Sequence, residues 1–514
     1  MKLTRRFTPW SLFMLSVNGM VGSAWLFAPL YAAKIAGPAS IIAWLIGGFA
    51  TILVALTFAE LSCLFPVAGG TAQIPQHSHG ALASFVVSWT AWLSALTMAP
   101  IEVQAMLQYA STYFSSLMII QHGVPVLSTQ GLCWATLLMG LFCIINTVSF
   151  KGLTRFNSVL FGFKVFVIIL TIFALMHTQF ESKHFMGVGA AMVTVNGWQA
   201  IFTAVASGGI AFAFTGFKHG VELAGEAKNI AVSLPVAIIG SVIACLVLYL
   251  GLQVAFIGAL QSQDLSHGWQ ALHFFGDTGP FAGLAIAIGL GWLAKLLYID
   301  AAVSPGGAGL VYVTSTARIL YAMSEIGYLP RWLAYVNRHN MPVAAIFVNF
   351  CLGLFLFLPF PGWQAMVNFL VSGMVISYIF GPIGLWCMRL EYPTKKRPFT
   401  LYYSRLVCIL AFVVCNMLIY WTGWHTLWKL AIALVIGLLA FVASYKKGRL
   451  SAAQLGMQSK GWLFCYFMGL ILISYMGCFG GGIGWLPFGW DFLVIAVFSV
   501  VIFFYAVQQR LTIK

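Results

Sequence analysis

The sequence predicts an all-α integral membrane protein of about fourteen spans, and three observations carry that prediction. Hydrophobic residues make up 61% of the 514 and charged residues only 7%, against about 25% charged in an average soluble domain. The apolar runs are continuous and about 20 or more residues long, enough to cross ~30 Å of hydrocarbon; a β-barrel would instead show alternating segments of roughly 10 residues. The 51 Gly sit mostly inside those runs, where a lipid-embedded helix tolerates them because neighbouring helices and ordered water satisfy a disturbed backbone.

Taken in order, the chain opens with Lys2, Arg5 and Arg6 and an apolar run to about Ala33. The run is longer than the ~7 to 15 residues of a signal peptide core, so it reads as the first span. Loops marked by charge, Pro and polar clusters then separate spans near 9–33, 39–65, 82–111, 132–149, 155–177, 197–224, 233–259, 280–324, 343–359, 364–388, 403–421, 427–445, 461–480 and 488–508. With the N-terminus inside, nineteen Lys and Arg fall on the cytoplasmic side and three, Lys34, Lys183 and Lys429, on the other. That bias supports an even number of spans, both termini in the cytoplasm and a multi-pass protein of the cytoplasmic (inner) membrane. The net charge of +15 is therefore a matter of topology, and no nucleic-acid partner is expected. The 10 Cys contain no CxxC pair and lie almost all in apolar spans, as small packing residues. His77 and His79 fall in a cytoplasmic loop between spans, where no metal site is expected.

Two spans are interrupted near mid-membrane. The first contains Gly19-Met20-Val21-Gly22-Ser23-Ala24, and the sixth contains Ser207-Gly208-Gly209 followed by Ala213-Phe214-Thr215-Gly216. Paired Gly-interrupted helices at corresponding places in two halves point to a transporter binding site, because unwinding exposes backbone N–H and C=O groups to a solute. Close packing between helices is the plainer use of the same Gly. The spacing gives a five-plus-five arrangement, and since five is odd the second set runs with opposite topology to the first. Residues 1–400 thus form a ten-helix core, with repeat one about 9–177 and repeat two about 197–388, while 401–514 adds four helices.

Several motifs then carry a resemblance. They are Gly22-Ser23-Ala24-Trp25-Leu26-Phe27-Ala28-Pro29 in the first span, and Ala59-Glu60-Leu61 with Phe65-Pro66 and Gly69-Gly70 at the end of the second. Phe212-Ala213-Phe214-Thr215-Gly216-Phe217, with Glu226-Ala227-Lys228-Asn229 and Pro235, marks the sixth. Ser315 to Met323 with Gly327-Tyr328-Leu329-Pro330 ends the eighth, and Arg397-Pro398-Phe399 follows the tenth. Together they resemble the amino acid-polyamine-organocation (APC) superfamily, in the order its first ten helices require, and the pattern around Lys218 is similar to a subgroup including aspartate:proton symporters. The resemblance implies the leucine-transporter-like 5+5 inverted repeat with helices 1 and 6 broken. The sequence departs from the family at Ala24, which replaces a third Gly, and at Lys218, which replaces an acidic residue.

The resemblance also implies a substrate site. Gly22, Ser23 and Ala24 would face Phe214, Thr215 and Gly216 around an amino acid, its carboxylate drawn to a half-helix N-terminus, with Phe212 as an aromatic gate. It places Lys164, in the fifth span, where proton-coupled members keep a lysine in place of a sodium site, so Lys164 is expected to titrate during the cycle; the alternative is a lysine snorkelling to the cytoplasmic interface. Lys218 lies four residues before Glu222, close enough for an ion pair on a helix face, or it faces the pocket and selects an acidic side chain. Glu102, Glu222, Lys295, Asp300, Ser315 and Thr316 are candidates for a polar network, since intramembrane polar groups face the protein interior, although helical hydroxyls also bond their own backbone.

The expected activity is secondary active uptake of amino acids by alternating access and proton symport, with no cofactor beyond the coupling proton and sodium not expected. An amino-acid exchanger or a polyamine carrier is the alternative among transporters; a membrane receptor or enzyme is the alternative outside them. No Walker loop provides for ATP drive.

Overall fold

The computed structural model describes residues 7–67, 70–121, 124–148, 153–185, 197–272, 279–339, 341–358, 362–447 and 460–511. Gly69 of the second-span motif and the basic residues Lys2, Arg5, Arg6, Lys151, Arg449 and Lys514 lie outside them.

The first predicted span is two helices, α1 (Pro9–Met20) and α2 (Ala24–Ala36). Thr8 caps α1 by accepting from the Ser11 N–H, and Pro9 stands at a helix start, where a missing N–H costs nothing. A single 3₁₀ turn at Gly37–Ala39 joins α2 to α3 (Ser40–Leu64). Then come α4 (Gly70–Ala110), kinked where Gly80 has φ 83°, a short antiparallel hairpin of β1 (Met118–Gln121) and β2 (Val124–Leu127), α5 (Thr129–Val148) and α6 (Leu153–Thr178).

The sixth span is broken twice, into α7 (Gly197–Ser207), α8 (Ile210–Ala213) and α9 (Lys218–Glu222). The seventh is α10 (Ile230–Pro235), a π turn at Val236–Gly240 and α11 (Ser241–Ala259). Pro235 lacks the N–H of a regular turn, which accounts for the wider turn after it. The eighth is a short α12 (Pro280–Ala287) and a long α13 (Gly291–Glu325), parted at Gly289, whose φ is 81°. The rest are α14 (Val343–Phe355), α15 (Trp363–Tyr378), α16 (Phe380–Glu391), α17 (Ser404–Trp421), α18 (Trp424–Lys446), α19 (Lys460–Met476) and α20 (Trp490–Gln508).

Each predicted span therefore coincides with helix. Among the described residues, 11 helical stretches are long and apolar enough to cross a membrane, one of them running through α2 and α3 together, while α14 and α19 are shorter. The outer faces explain the composition: Phe166, Phe173, Val247 and Leu439 are more than half exposed, an apolar exterior that lipid and not water must cover. All ten cysteines are free.

At the centre α4 packs along α13 and α15, and α1 lies against the broken sixth helix. Two motif fragments meet near the C-terminal ends of α3 and α16. The buried Glu60 carboxylate accepts from Arg389 at 2.7 and 2.9 Å and from the Leu401 N–H at 2.7 Å, with Arg397 at 3.4 Å. A carboxylate with this many donors satisfies the requirement for a buried charge, which gives Glu60 and Arg397 a structural reason to be there.

The structure corrects two placements. His79 is not in a loop: α4 begins before it, and His79 is buried with Nε2 3.0 Å from the Ala506 carbonyl of α20. Lys295 does not join the buried polar groups. It stands exposed near the start of α13, because five residues turn a helix by about 500°, placing Lys295 roughly 140° from the buried Asp300.

Candidate functional site

The break in the first span leaves orphan groups on both of its ends, since the last carbonyls of α1 and the first N–H groups of α2 have no helical partner. Side chains from distant elements meet them. The Gly19 carbonyl accepts from the Tyr312 hydroxyl at 3.0 Å, the Met20 carbonyl from Tyr249 at 2.8 Å, and the Val21 carbonyl from Lys164 Nζ at 2.8 Å. At the other end the Ser23 N–H donates to Glu102 Oε2 at 2.8 Å. A Cβ on Gly22 would fall 2.5 Å from Glu102 Oε1, so only glycine admits the carboxylate. Charge follows the half-helix dipoles: the cation sits on the negative end of α1 and the anion on the positive end of α2. Both side chains are 1% exposed.

The second break rests on Gly209, whose φ of 90° suits glycine and whose missing side chain leaves room for the Trp363 indole. Trp363 donates to Ser23 Oγ at 3.0 Å, stacks on Tyr31 with centroids 5.5 Å apart, and touches Phe27 and Phe212. Phe212 thus belongs to an aromatic cluster over Ser23. Phe214 packs against Trp44 and Tyr249. Gly216 lies against the backbone of Gly19 and Met20, a close approach that any side chain would block.

Below the breaks lies a small cavity lined by Thr215, Lys218, His219, Glu222, Tyr312 and Ser315. Its open space of about 20 Å³ holds about one water, so a larger solute enters only when the helices separate. Lys218 turns away from Glu222: its Nζ is 3.4 Å from Ser377 Oγ and 5.4 Å from the centre of the Tyr378 ring. Glu222 instead accepts from Ser315 at 3.0 Å and faces His219 Nδ1 at 3.9 Å. The expected Lys218–Glu222 pair is therefore not made among the described residues.

Residues 7–423 match the amino acid permease family. The chain belongs to that family, within the APC superfamily. The permease is 34% identical, over 99% of its length and 94% of the relative's, to the glutamate/serine transporter AimA of Bacillus subtilis (strain 168). It is likewise 34% identical over 96% of its length and 94% of the relative's to the aspartate-proton symporter of the same organism. The branched-chain amino acid permease BcaP, also from Bacillus subtilis, shares 24% over 87% of the permease and 95% of the relative. The permease is a multi-pass membrane transporter of amino acids and not an enzyme.

The structure places Gly22, Ser23, Ala24, Glu102 and Lys164 at the first break. Thr215, Lys218, Glu222 and Ser315 line the cavity. Thr316 donates to Tyr312 O of its own helix at 2.7 Å and to Ala95 O of α4 at 2.9 Å. Asp300 is buried with Oδ1 accepting from Ser304 at 2.7 Å. Sequence reasoning missed Trp363, Tyr249, Tyr312 and His219. Tyr312, just before the eighth-span motif, and His219, next to Lys218, had neighbouring signals.

Proposed function

We propose that the permease takes up an amino acid with an acidic side chain across the cytoplasmic membrane by proton symport, with both termini inside, fourteen crossings, and residues 1–400 as the moving core beside the helices of 401–514. The observation that carries this reading is the Lys164 ammonium on the Val21 carbonyl. A carbonyl freed by a broken helix is a cation ligand; with a lysine seated on it, gain and loss of a proton by that lysine takes the part of binding and releasing an ion. A proton, and not sodium, is then the coupling ion.

Acidic selectivity rests on Lys218, a cavity-lining cation whose partners are a hydroxyl at 3.4 Å and an aromatic ring, leaving it able to take a carboxylate. Two relatives, a glutamate/serine transporter and an aspartate-proton symporter, agree with that choice.

The test is uptake of a panel of labelled amino acids into sodium-free proteoliposomes with and without an inward proton gradient. Accumulation of aspartate or glutamate that requires the gradient is expected. Counterflow without accumulation would make the protein an exchanger, and no amino acid entry would turn the search to polyamines. Lys218→Ala should lower uptake of aspartate more than about tenfold relative to serine; an unchanged ratio would remove the selectivity claim and leave the coupling claim standing.

A further inference from the structure

One buried carboxylate has no part in the scheme above. Asp300 lies on α13, 0% exposed, with Oδ1 accepting from the Ser304 hydroxyl. Its Oδ2 has only a loose approach of the Trp25 indole, and the buried Tyr109 hydroxyl only a loose approach to the Phe281 backbone. Burying an ionisable group inside a membrane protein with so few well-formed hydrogen bonds is costly.

The position of Asp300 supplies a reason. Asp300, Ser304 and Gly307 are spaced i, i+4, i+7, one face of α13. A Cβ on Gly307 would fall 3.5 Å from Lys164 Nζ, so the amine rests on that same face about one turn below Ser304. The charged and titratable groups acting on Asp300 and Lys164 are each other, Glu102 of α4 and Tyr109 of α4; α2 contributes only the Trp25 indole. With the N-terminus inside, α13 runs inward from Gly291, which puts Asp300 on the outer side of Lys164. Beyond it, Tyr109 meets Tyr298 with ring centroids 6.0 Å apart, and Tyr298 meets Tyr113 at 4.9 Å, whose side chain is 66% exposed.

We propose that Asp300 is the outer station of the proton path, taking protons past Tyr109 from the outside and delivering them through Ser304 to Lys164, along a file between α4 and α13. The inference rests on the proton-symport reading. The transfer balances within the chain. The Asp300 carboxylate accepts a proton from external water and passes one to the Ser304 oxygen, while the Ser304 hydroxyl proton goes to the neutral Lys164 amine. Asp300 ends as the carboxylate, Ser304 unchanged and Lys164 as the ammonium.

Purified wild type, Asp300→Asn and Asp300→Glu are compared in proteoliposomes by three readouts: gradient-driven accumulation of labelled L-aspartate, aspartate counterflow, and alkalinisation of the outer medium on adding aspartate. Asp300→Asn should lose accumulation and alkalinisation by more than about tenfold while counterflow continues, and Asp300→Glu should restore both. If Asp300→Asn accumulates aspartate as wild type does, the proposal is overturned while the symport reading survives. Loss of counterflow together with accumulation in a variant that still elutes as a folded species would make Asp300 structural and overturn it equally. A wild type indifferent to the gradient would overturn the symport reading itself, and this inference with it.

Discussion

At the break between α1 and α2 the freed carbonyl of Val21 takes an ammonium and the freed N–H of Ser23 takes a carboxylate, whereas at the sixth-helix break the carbonyls of Ser207 and Thr215 take the Gln364 amide at 2.9 Å and the Tyr378 hydroxyl at 3.5 Å. Both breaks must satisfy backbone that lipid cannot. The charged caps of the first change strength when a proton arrives or leaves, because a charge-assisted hydrogen bond is roughly twice as strong as a neutral one. The neutral caps of the second hold across the same event. The first break is therefore suited to sense the driving ion, and the second, with a glycine of positive φ at its head, to act as a fixed bend on which the aromatic lid rests.

The largest effect should come from breaking the charged side. Lys164→Met removes the cation whose charge acts on the buried Asp300 and Glu102 carboxylates, and leaving a buried charge uncompensated costs about 3–5 kcal/mol. Gradient-driven accumulation should fall more than tenfold and thermal stability in detergent should drop; the double variant Lys164→Met/Glu102→Gln should recover stability but not accumulation. A Lys164→Met protein that still accumulates substrate against a gradient would remove the distinction between the two breaks.

The two breaks differ also in how far the sequence announces them. Gly22-Ser23 and Gly208-Gly209 are legible because glycine in an apolar run carries its own conformational meaning. The caps are not, because they come from far along the chain: Lys164 is 143 residues from Val21, Tyr249 is 229 from Met20, Tyr312 is 293 from Gly19 and Trp363 is 340 from Ser23. Helical periodicity says which residues share a face of one helix, and nothing about which face of another helix meets it. Lys164 was singled out by a resemblance and not by its neighbours. Lys218 and Glu222 show the converse: a spacing that permits a pair does not make one when Ser315 and Ser377 offer partners from α13 and α15.

A smaller effect should follow at the neutral break. Gly209→Ala forces a residue with a side chain to φ 90° and puts a Cβ 2.8 Å from the Trp363 ring and 3.1 Å from Ala28. The backbone cost alone is about 1–2 kcal/mol. If the second break is a fixed bend with no part in sensing protons, Gly209→Ala should slow counterflow and driven uptake by the same factor, several-fold, and lower the melting temperature by a few degrees. A loss of driven uptake with counterflow intact would place coupling at both breaks and end the comparison.

The smallest effect tests the one side chain that joins the two. Trp363 fills the space that Gly209 leaves and donates its indole N–H to Ser23, so it ties the lid on the second break to the N-terminal residue of the first. Trp363→Phe keeps an aromatic ring over Tyr31 and Phe27 but removes the donor, a loss of about 1 kcal/mol, or roughly fivefold in an equilibrium constant. Ser23 gives its N–H to Glu102 and its hydroxyl also acts on that carboxylate, so the substitution removes only the donor to the Ser23 oxygen. If Trp363 acts as a lid over the solute, the apparent KM for uptake should rise about fivefold, with the maximal rate and the dependence on the proton gradient unchanged. A shift in the gradient dependence instead would mean that the hydrogen bond to Ser23 reaches Glu102 and Lys164, making the lid part of the proton-sensing break.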